Sequence, residues 1–314
     1  MVNNIKNQMV FLAICTYGRP KYLKKCIDSI LNMEIPEKID FFLGIIDNNE
    51  EQSCKEMVAD YEKISTIKLI YAHEPNKGIV HARNKALDCA KELNPDIMGF
   101  TDDDCIMSKD WLSNGLEGFK TFNAKILTGP CKFIFPAKTP KFIINARRFE
   151  YKQIPSGPSD IISSTRNVLF DFKLITKLKL RFNIQFNLSG GSDTFFFQEA
   201  YNAGHKATWL DDFMVHEYVP KSRANLKWVL KRNYRIGFTR SKRVIILNNY
   251  NNKKFISQLF ITKGPLFILK IFFYLLTFNG KETIRALESL SFLLGKFSTL
   301  FKKNHSEYHT LHGE

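Results

Sequence analysis

Glycine-rich phosphate loops are missing from this 314-residue chain: neither a GxGxxG nor a GxxxxGK pattern occurs. That argues against the usual dinucleotide and P-loop ATP sites, so any phosphate must be held by other means. No internal repeat and no low-complexity tract is visible. Cysteine is sparse and unpatterned, with six thiols, all within the first 131 residues, and no CxxC pair. The spacing fits no structural zinc site and predicts free thiols in a reduced cytoplasm. Met1–Val10 is polar and lacks the apolar stretch of a secretory leader, which also predicts a cytoplasmic chain. The most informative shortage is of acid. Between Val219 and Asn304 only Glu282 and Glu288 stand against eighteen Lys and Arg, in a chain whose formal charge is +15. The remainder is nearly neutral. This asymmetry predicts a body over 1–218 joined to a basic, Phe-rich helical segment over 219–314. Apolar content of 44% and charged content of 25% exclude a disordered chain.

What is present alternates regularly. Met9–Cys15 is a short apolar run ended by Thr16-Tyr17-Gly18-Arg19-Pro20, a strand and a turn in which Pro20 can open a helix. Leu23, Ile27, Ile30 and Leu31 give that helix one apolar face. Asp40–Ile46 reads as a second strand, Ile67–Ala72 as a third and Ile97–Thr101 as a fourth, with a helix from Gly78 carrying Ile79, Ala82, Ala86, Leu87 and Ala90. Strands and helices alternating at this spacing predict an α/β fold with a mostly parallel sheet covered on both faces. Ligands in such sheets sit at the carboxyl ends of the strands. Thr16, Asp47 and Asp102 all end strands on that rim.

Asp102-Asp103-Asp104 directly follows the fourth strand. Adjacent carboxylates repel and resist burial, so at a strand end they call for a compensating cation. Oxygen ligands suit Mg²⁺ or Mn²⁺, which favour phosphate oxygens as further ligands. The plain alternative is a solvated acidic turn. A second constellation, Ser189-Gly190-Gly191-Ser192-Asp193, offers glycines for close backbone approach to a ligand and a carboxylate that either reacts or merely serves the first turn of the following helix. Ala207–Val215 reads as a strand that delivers His216-Glu217, with His216 a candidate nitrogen ligand beside the metal.

Taken in order, six motifs resemble the inverting family 2 glycosyltransferases of the GT-A fold. They are Ala13-Ile14-Cys15-Thr16-Tyr17-Gly18-Arg19-Pro20, Ile46-Asp47-Asn48, Asn76-Lys77-Gly78 with Ala82-Arg83-Asn84, Phe100-Thr101-Asp102-Asp103-Asp104, Gly190-Gly191-Ser192-Asp193, and Val215-His216-Glu217. The likeness runs from Val10 to Gly237. With Gly129-Pro130 and Thr165-Arg166-Asn167-Val168 added, the pattern is most similar to bacterial exopolysaccharide glycosyltransferases of the succinoglycan type. The resemblance implies a Rossmann-like sheet and a metal-dependent transfer of a hexose from a UDP-sugar, UDP-glucose first, to a hydroxyl of a lipid-linked or cell-surface polysaccharide acceptor. It implies that Thr16, Tyr17 and Arg19 line the nucleotide pocket and that Asp47 contacts uracil or ribose. Asn76, Arg83 and Asn84 would hold the base, the diphosphate or the rim of the donor site. Asp102 and Asp103 would face the donor, with Gly190 and Gly191 beside the acceptor. Asp104 and His216 would bind Mg²⁺ or Mn²⁺, and Asp193 would be the base. Many relatives carry Glu where this chain has Ser192.

The basic C-terminal segment combines charge with the apolar stretch Gly264–Phe278. Fifteen residues fall short of the roughly 20 that span a bilayer, so the segment predicts a helix or hairpin lying on an anionic membrane surface, on the inner face of the cell membrane. Packed Phe-rich helices in a cytosolic domain would explain the apolar residues but not the charge. Two other function classes remain at this point. A nucleotidyltransferase shares the strand-end carboxylates but usually has a glycine-rich N-terminal loop with a basic residue, which Thr16–Pro20 lacks. A nucleic-acid-binding protein would use the basic tail, but it leaves Asp102–Asp104 unexplained, and no helix-turn-helix, RNP or zinc-finger pattern occurs, so no nucleic-acid partner is expected.

Overall fold

Strand β1 (Gln8–Thr16) is the spine of the sheet, and the chain alternates from there. It passes through α1 (Pro20–Leu31), β2 (Ile39–Asp47), α2 (Lys55–Ile64), β3 (Lys68–His73), α3 (Ile79–Leu93) and β4 (Ile97–Asp102). Val10 to Ile14 are fully buried, which a strand achieves when both of its faces are covered. Side chains two apart share a face. Val10, Leu12 and Ile14 accordingly enter one core with Leu23 and Ile27 of α1, whereas Phe11 and Ala13 enter another with Ala82 and Ala86 of α3. The computed structural model describes residues 7–151, 153–248, 268–269, 272–273 and 280–299.

The second part of the body adds β5 (Cys105–Met107), α4 (Trp111–Phe122), β6 (Ile126–Thr128), β7 (Cys131–Ile134), α5 (Lys141–Ile144), β8 (Gly157–Ser159), β9 (Asn167–Asp171), α6 (Phe172–Leu178), α7 (Ser192–Asn202), β10 (Ala207–Trp209) and β11 (Val215–Tyr218). Eight strands form the main sheet in the order β3-β2-β1-β4-β9-β6-β10-β8, and β5-β11-β7 form a smaller one. The four strands on the β3 side are mutually parallel, and β9 runs antiparallel between β4 and β6. In register, Thr16 lies opposite Asp47 and Cys15 opposite Asp102, so these strands end at one level. All six thiols are free.

One expected element is divided. Ala207–Val215 is not a single strand: β10 pairs with β6 in the main sheet, and β11 pairs with β5 and β7 in the small one. Between them the turn-forming pair Asp211-Asp212 carries the chain from one sheet to the other. The buried Asn167 side chain holds that passage, donating to the Phe213 carbonyl at 2.6 Å and accepting from Trp111 Nε1 at 3.0 Å.

The C-terminal segment supplies α8 (Leu226–Asn248) and α9 (Gly280–Ser298). The two helices cross in close contact. A Cβ at Gly237 would stand 2.0 Å from the Phe292 carbonyl oxygen, and one at Gly295 would stand 1.8 Å from that of Tyr234. Glycine is therefore required at both points of the crossing. Ser291 Oγ donates to the Leu230 carbonyl at 2.6 Å, and Asn233 donates to the buried Glu288 at 3.2 Å. Trp228, Val229 and Ile284 join Ile143 and Phe149 in a third apolar cluster that fastens the pair to the body. On α9 the outward stripe Leu290, Leu294 and Phe297 is exposed. Ile268, Leu269, Phe272 and Phe273 are helical and 61 to 67% exposed; the rest of Gly264–Phe278 lies outside the described residues. Among the described residues no helix is long and apolar enough to cross a membrane.

Candidate active site

A cavity of about 840 Å³ opens at the carboxyl ends of β1 and β4. Of the residues singled out from sequence, Thr16, Tyr17, Arg19, Arg83, Asp102, Asp103 and Asp104 line it, as do Gly190, Gly191 and Asp193 from the other side. Asp47, Asn76, Asn84 and His216 do not.

The three consecutive aspartates have separate surroundings. Asp103 is fully buried and accepts from Thr16 Oγ1 at 2.8 Å and from Arg19 Nε at 3.1 Å, with a second Arg19 contact to its other oxygen. It ties the β1 turn to the end of β4. Asp104 Oδ2 receives Arg19 Nη1 at 3.0 Å and Arg223 Nη1 at 3.1 Å. Neither arginine pairs with Asp102, whose carboxylate is left to the cavity. Burial, and then the charge of Asp104, push Asp102 up to about 6 against the pull of Arg83.

Asp47 is one residue inside the expected contact. Its oxygens accept from the backbone N–H of Asn49 and of Cys54, each at 3.0 Å, and from the Tyr71 hydroxyl at 3.2 Å. It shapes the loop, and Asn48 reaches the cavity instead. Asn48 donates to the carbonyls of Glu74 and Asn76, both at 2.8 Å, and accepts from Gly78 N–H at 2.8 Å. The Asn76 side chain turns back to Glu74 at 2.9 Å. Asn84 clasps the Phe182 backbone in both directions, at 3.0 and 2.9 Å. Arg83 does reach the site, held by Ser192 Oγ at 2.8 Å and Thr165 Oγ1 at 2.5 Å. Ser192 is thus a buried hydrogen-bond partner for a guanidinium.

His216 and Glu217 are separated by strand parity. Successive side chains of β11 point to opposite faces, and Glu217, not His216, lines the cavity. Burial, and then the nearby Lys132 ammonium, lower the His216 pKa. Glu217 is gripped by Arg166 at 3.1 Å, Arg148 at 3.5 Å and Arg223 at 3.9 Å. Burial alone would raise its carboxyl, but these guanidinia outweigh burial and bring it down to about 2. In the sequence Glu217 and Arg166 stand within the motifs without an expected role, Arg148 and Arg223 stand outside them, and strand parity is the signal for the glutamate.

The opposite wall comes from α7 and α8. Gly190 and Gly191 adopt left-handed φ values of +74° and +86°, and a Cβ on them would meet Arg235 Nη1 at 2.6 Å and Thr239 at 3.1 Å. The glycine pair therefore seats α8 closely as well as bordering the cavity. Gly191 is the N-cap of α7, with no side-chain cap. Asp193 Oδ1 accepts from the Thr194 N–H at 2.7 Å, so one oxygen serves the first turn while the residue lines the cavity. Arg232, Arg235, Arg240 and Arg243 of α8 complete this wall. Their recurrence at three- to five-residue intervals in a helix was the available signal.

Among the described residues no three His, Cys, Asp or Glu side chains form a ready-made ion site. Asp102 and Asp104 nevertheless fit a hard divalent cation in chemistry. Both are carboxylates lining the cavity, and among the described residues no arginine forms an ion pair with Asp102. A Mg²⁺ or Mn²⁺ held there would draw its other ligands from bound substrate and water.

The Glycosyl transferase family 2 model matches residues 11–179, more than half of the chain. The succinoglycan biosynthesis protein ExoM of Rhizobium meliloti (strain 1021) is 30% identical over 231 residues, which is 74% of this chain and 74% of that protein. An uncharacterized glycosyltransferase of Methanocaldococcus jannaschii is 31% identical over 93 residues, 29% of this chain and 31% of its own. Among solved structures, the mannosyltransferase PcManGT from Pyrobaculum calidifontis, in complex with GDP-Man and Mn²⁺, superposes with a TM-score of 0.64 at 15% identity, covering 95% of this chain and 88% of that one. S. aureus TarS superposes with a TM-score of 0.55 at 15% identity, covering 95% and 93%. Sheet order, rim carboxylates and family match agree: this chain belongs to glycosyl transferase family 2 and is a glycosyltransferase of the GT-A fold.

Proposed function

We propose that the protein is a metal-dependent, inverting hexosyltransferase of exopolysaccharide assembly. It would use a UDP-sugar, with UDP-glucose the first donor to test, and a hydroxyl of a lipid-linked or cell-surface polysaccharide acceptor. One observation carries the reading: a single cavity holds the strand-end carboxylates Asp102 and Asp104 on one wall and a separate carboxylate, Asp193, on another. The TarS structures with UDP and with UDP-GlcNAc support a nucleotide-sugar donor for the fold, and the name of ExoM supports polysaccharide assembly.

In this reading Thr16, Tyr17, Arg19 and Arg83 bind the nucleotide side of the donor, and Asp102 and Asp104 hold Mg²⁺ or Mn²⁺. The cation supplies neutralisation of the charge that grows on the diphosphate leaving group. Asp193 takes the proton of the acceptor hydroxyl, a poor nucleophile near neutral pH. One base and one in-line displacement invert the anomeric carbon, as in single-displacement glycoside chemistry. The basic segment, with the apolar stripe of α9, would rest on an anionic membrane surface at the inner face of the cell membrane, where a lipid-linked acceptor is found.

The test is slow donor hydrolysis by the purified protein across UDP-glucose, UDP-galactose, UDP-GlcNAc and GDP-mannose, with Mn²⁺ or Mg²⁺ and with EDTA. Metal-dependent release of UDP is expected. Full activity in EDTA would remove the metal from the reading, and use of GDP-mannose alone would remove the UDP donor.

A further inference from the structure

The cavity carries more positive charge than a nucleotide-sugar needs. Ten basic side chains line it against five carboxylates. A UDP-sugar brings two negative charges and a divalent cation cancels them, so the metal-bound donor leaves the excess of five untouched. If side chains met the diphosphate directly, an excess of three would remain.

The excess has a definite place. Four of the five carboxylates, Asp102, Asp103, Asp104 and Glu217, lie on the rim side, where Arg19, Arg148, Arg166 and Arg223 pair with three of them. From α7 and α8 the cavity takes Asp193 and the four arginines Arg232, Arg235, Arg240 and Arg243, of which Arg232 also lies near Glu217. Arg240 and Arg243 lie one helical turn apart on α8, and among the described residues neither forms an ion pair. Burial, and then the neighbouring Arg240, lower the Arg243 pKa, while Asp193 pulls it the other way. Arg240 is exposed and Arg243 partly buried, so an anion bound between them would recover the free energy that burial and the neighbouring like charge cost Arg243. Guanidinium forks also match phosphate and carboxylate oxygens in geometry.

We propose that Arg240 and Arg243 form an anion-binding subsite for the acceptor, so that the accepting sugar carries a phosphate or carboxylate within about one ring of the hydroxyl that reacts at Asp193. This rests on the glycosyltransferase reading above, and it narrows the acceptor from any polysaccharide to one anionic at its reacting end. A glycosyl phosphate linked to lipid and an acidic sugar residue share this chemistry.

The experiment first saturates the full-length protein with UDP and Mn²⁺, which occupies the donor half and tests the donor reading by itself. Glucose 1-phosphate, glucuronic acid and glucose are then titrated in by calorimetry. At least one anionic sugar is expected to bind tenfold or more tightly than glucose. Preference for the phosphate identifies a glycosyl-phosphate acceptor, and preference for the carboxylate identifies an acidic glycan. The R240Q/R243Q variant should lose the preference, and R240K/R243K should keep part of it, because charge remains while the fork is lost. Equal binding of the three sugars, no detectable binding of either anion, or a preference that survives in the glutamine variant would each overturn the subsite. If UDP itself fails to bind, the donor reading falls instead.

Discussion

The two walls of the cavity are built on opposite electrostatic plans. On the rim side charges are interlocked: Asp103 with Arg19, Asp104 with Arg19 and Arg223, Glu217 with Arg148, Arg166 and Arg223. From α7 and α8 the cavity takes four arginines and one carboxylate, Asp193, with Gly190 admitting Arg235. An interlocked wall is preorganised, since its groups are already oriented before a substrate arrives. A wall of surplus charge is completed by what it binds. In the proposed function the fixed half takes the activated donor and the unfinished half takes the acceptor.

The largest expected effect breaks the rim wall. Asp104→Ala removes a carboxylate and strands Arg19 and Arg223 partly unpaired. Transfer should be abolished and metal-dependent UDP binding weakened, and retained transfer in a radiolabel assay would refute the role of Asp104. Next comes Asp193→Asn. The amide oxygen keeps the bond to the Thr194 N–H, so unfolding should stay within about 0.5 kcal/mol of the wild type, while turnover falls by roughly 10²–10⁴. A loss of stability with an unchanged rate would reduce Asp193 to a helix-end residue. A smaller effect is expected at the helix crossing. Gly295→Ala should cost about 1–3 kcal/mol by overpacking against the Tyr234 carbonyl, read by denaturant unfolding, and should raise the acceptor KM more than the donor KM because α8 shifts. Equal changes in both constants would show that the two walls are not separable.

The smallest effect concerns the membrane. Each well-placed Lys or Arg should contribute about 1 kcal/mol of attraction to anionic lipid, and salt should weaken it. The protein should pellet with phosphatidylglycerol vesicles at low salt and be partly released at high salt, with L290S/L294S/F297S released more fully. Indifference to anionic vesicles would return these residues to ordinary surface.

Much of this architecture is legible in the sequence because it is local. The β1 apolar run, the Pro20 helix start and the aspartates at the end of β4 are set by period, turn chemistry and adjacency, with β4 running one residue further than expected, to Asp102. Errors of a single residue arise at strand ends. β2 runs one residue further than expected, to Asp47, and the side chain that reaches the cavity becomes that of Asn48. At β11 parity places Glu217, rather than His216, against the cavity. Periodicity fixes which residues alternate and is silent about which face meets the cavity. The contribution of α8 was hidden for another reason. Its arginines look like any basic helix until Gly190, Gly191 and the crossing with α9 dock them, and docking depends on contacts distant in sequence.

That crossing also acts as a ruler. With a carbonyl packed against glycine at two points, neither helix can slide along the other, since a slip of one residue, about 1.5 Å, would bring a Cβ against an oxygen. The distance from the outward stripe of Leu290, Leu294 and Phe297 to the arginines of α8 is therefore set by the helix pair. If the stripe rests on lipid, the height of the acceptor wall above the surface follows from it. An acceptor tethered at that surface would meet the base at one depth, and the reach of its glycan would decide which hydroxyl is glycosylated.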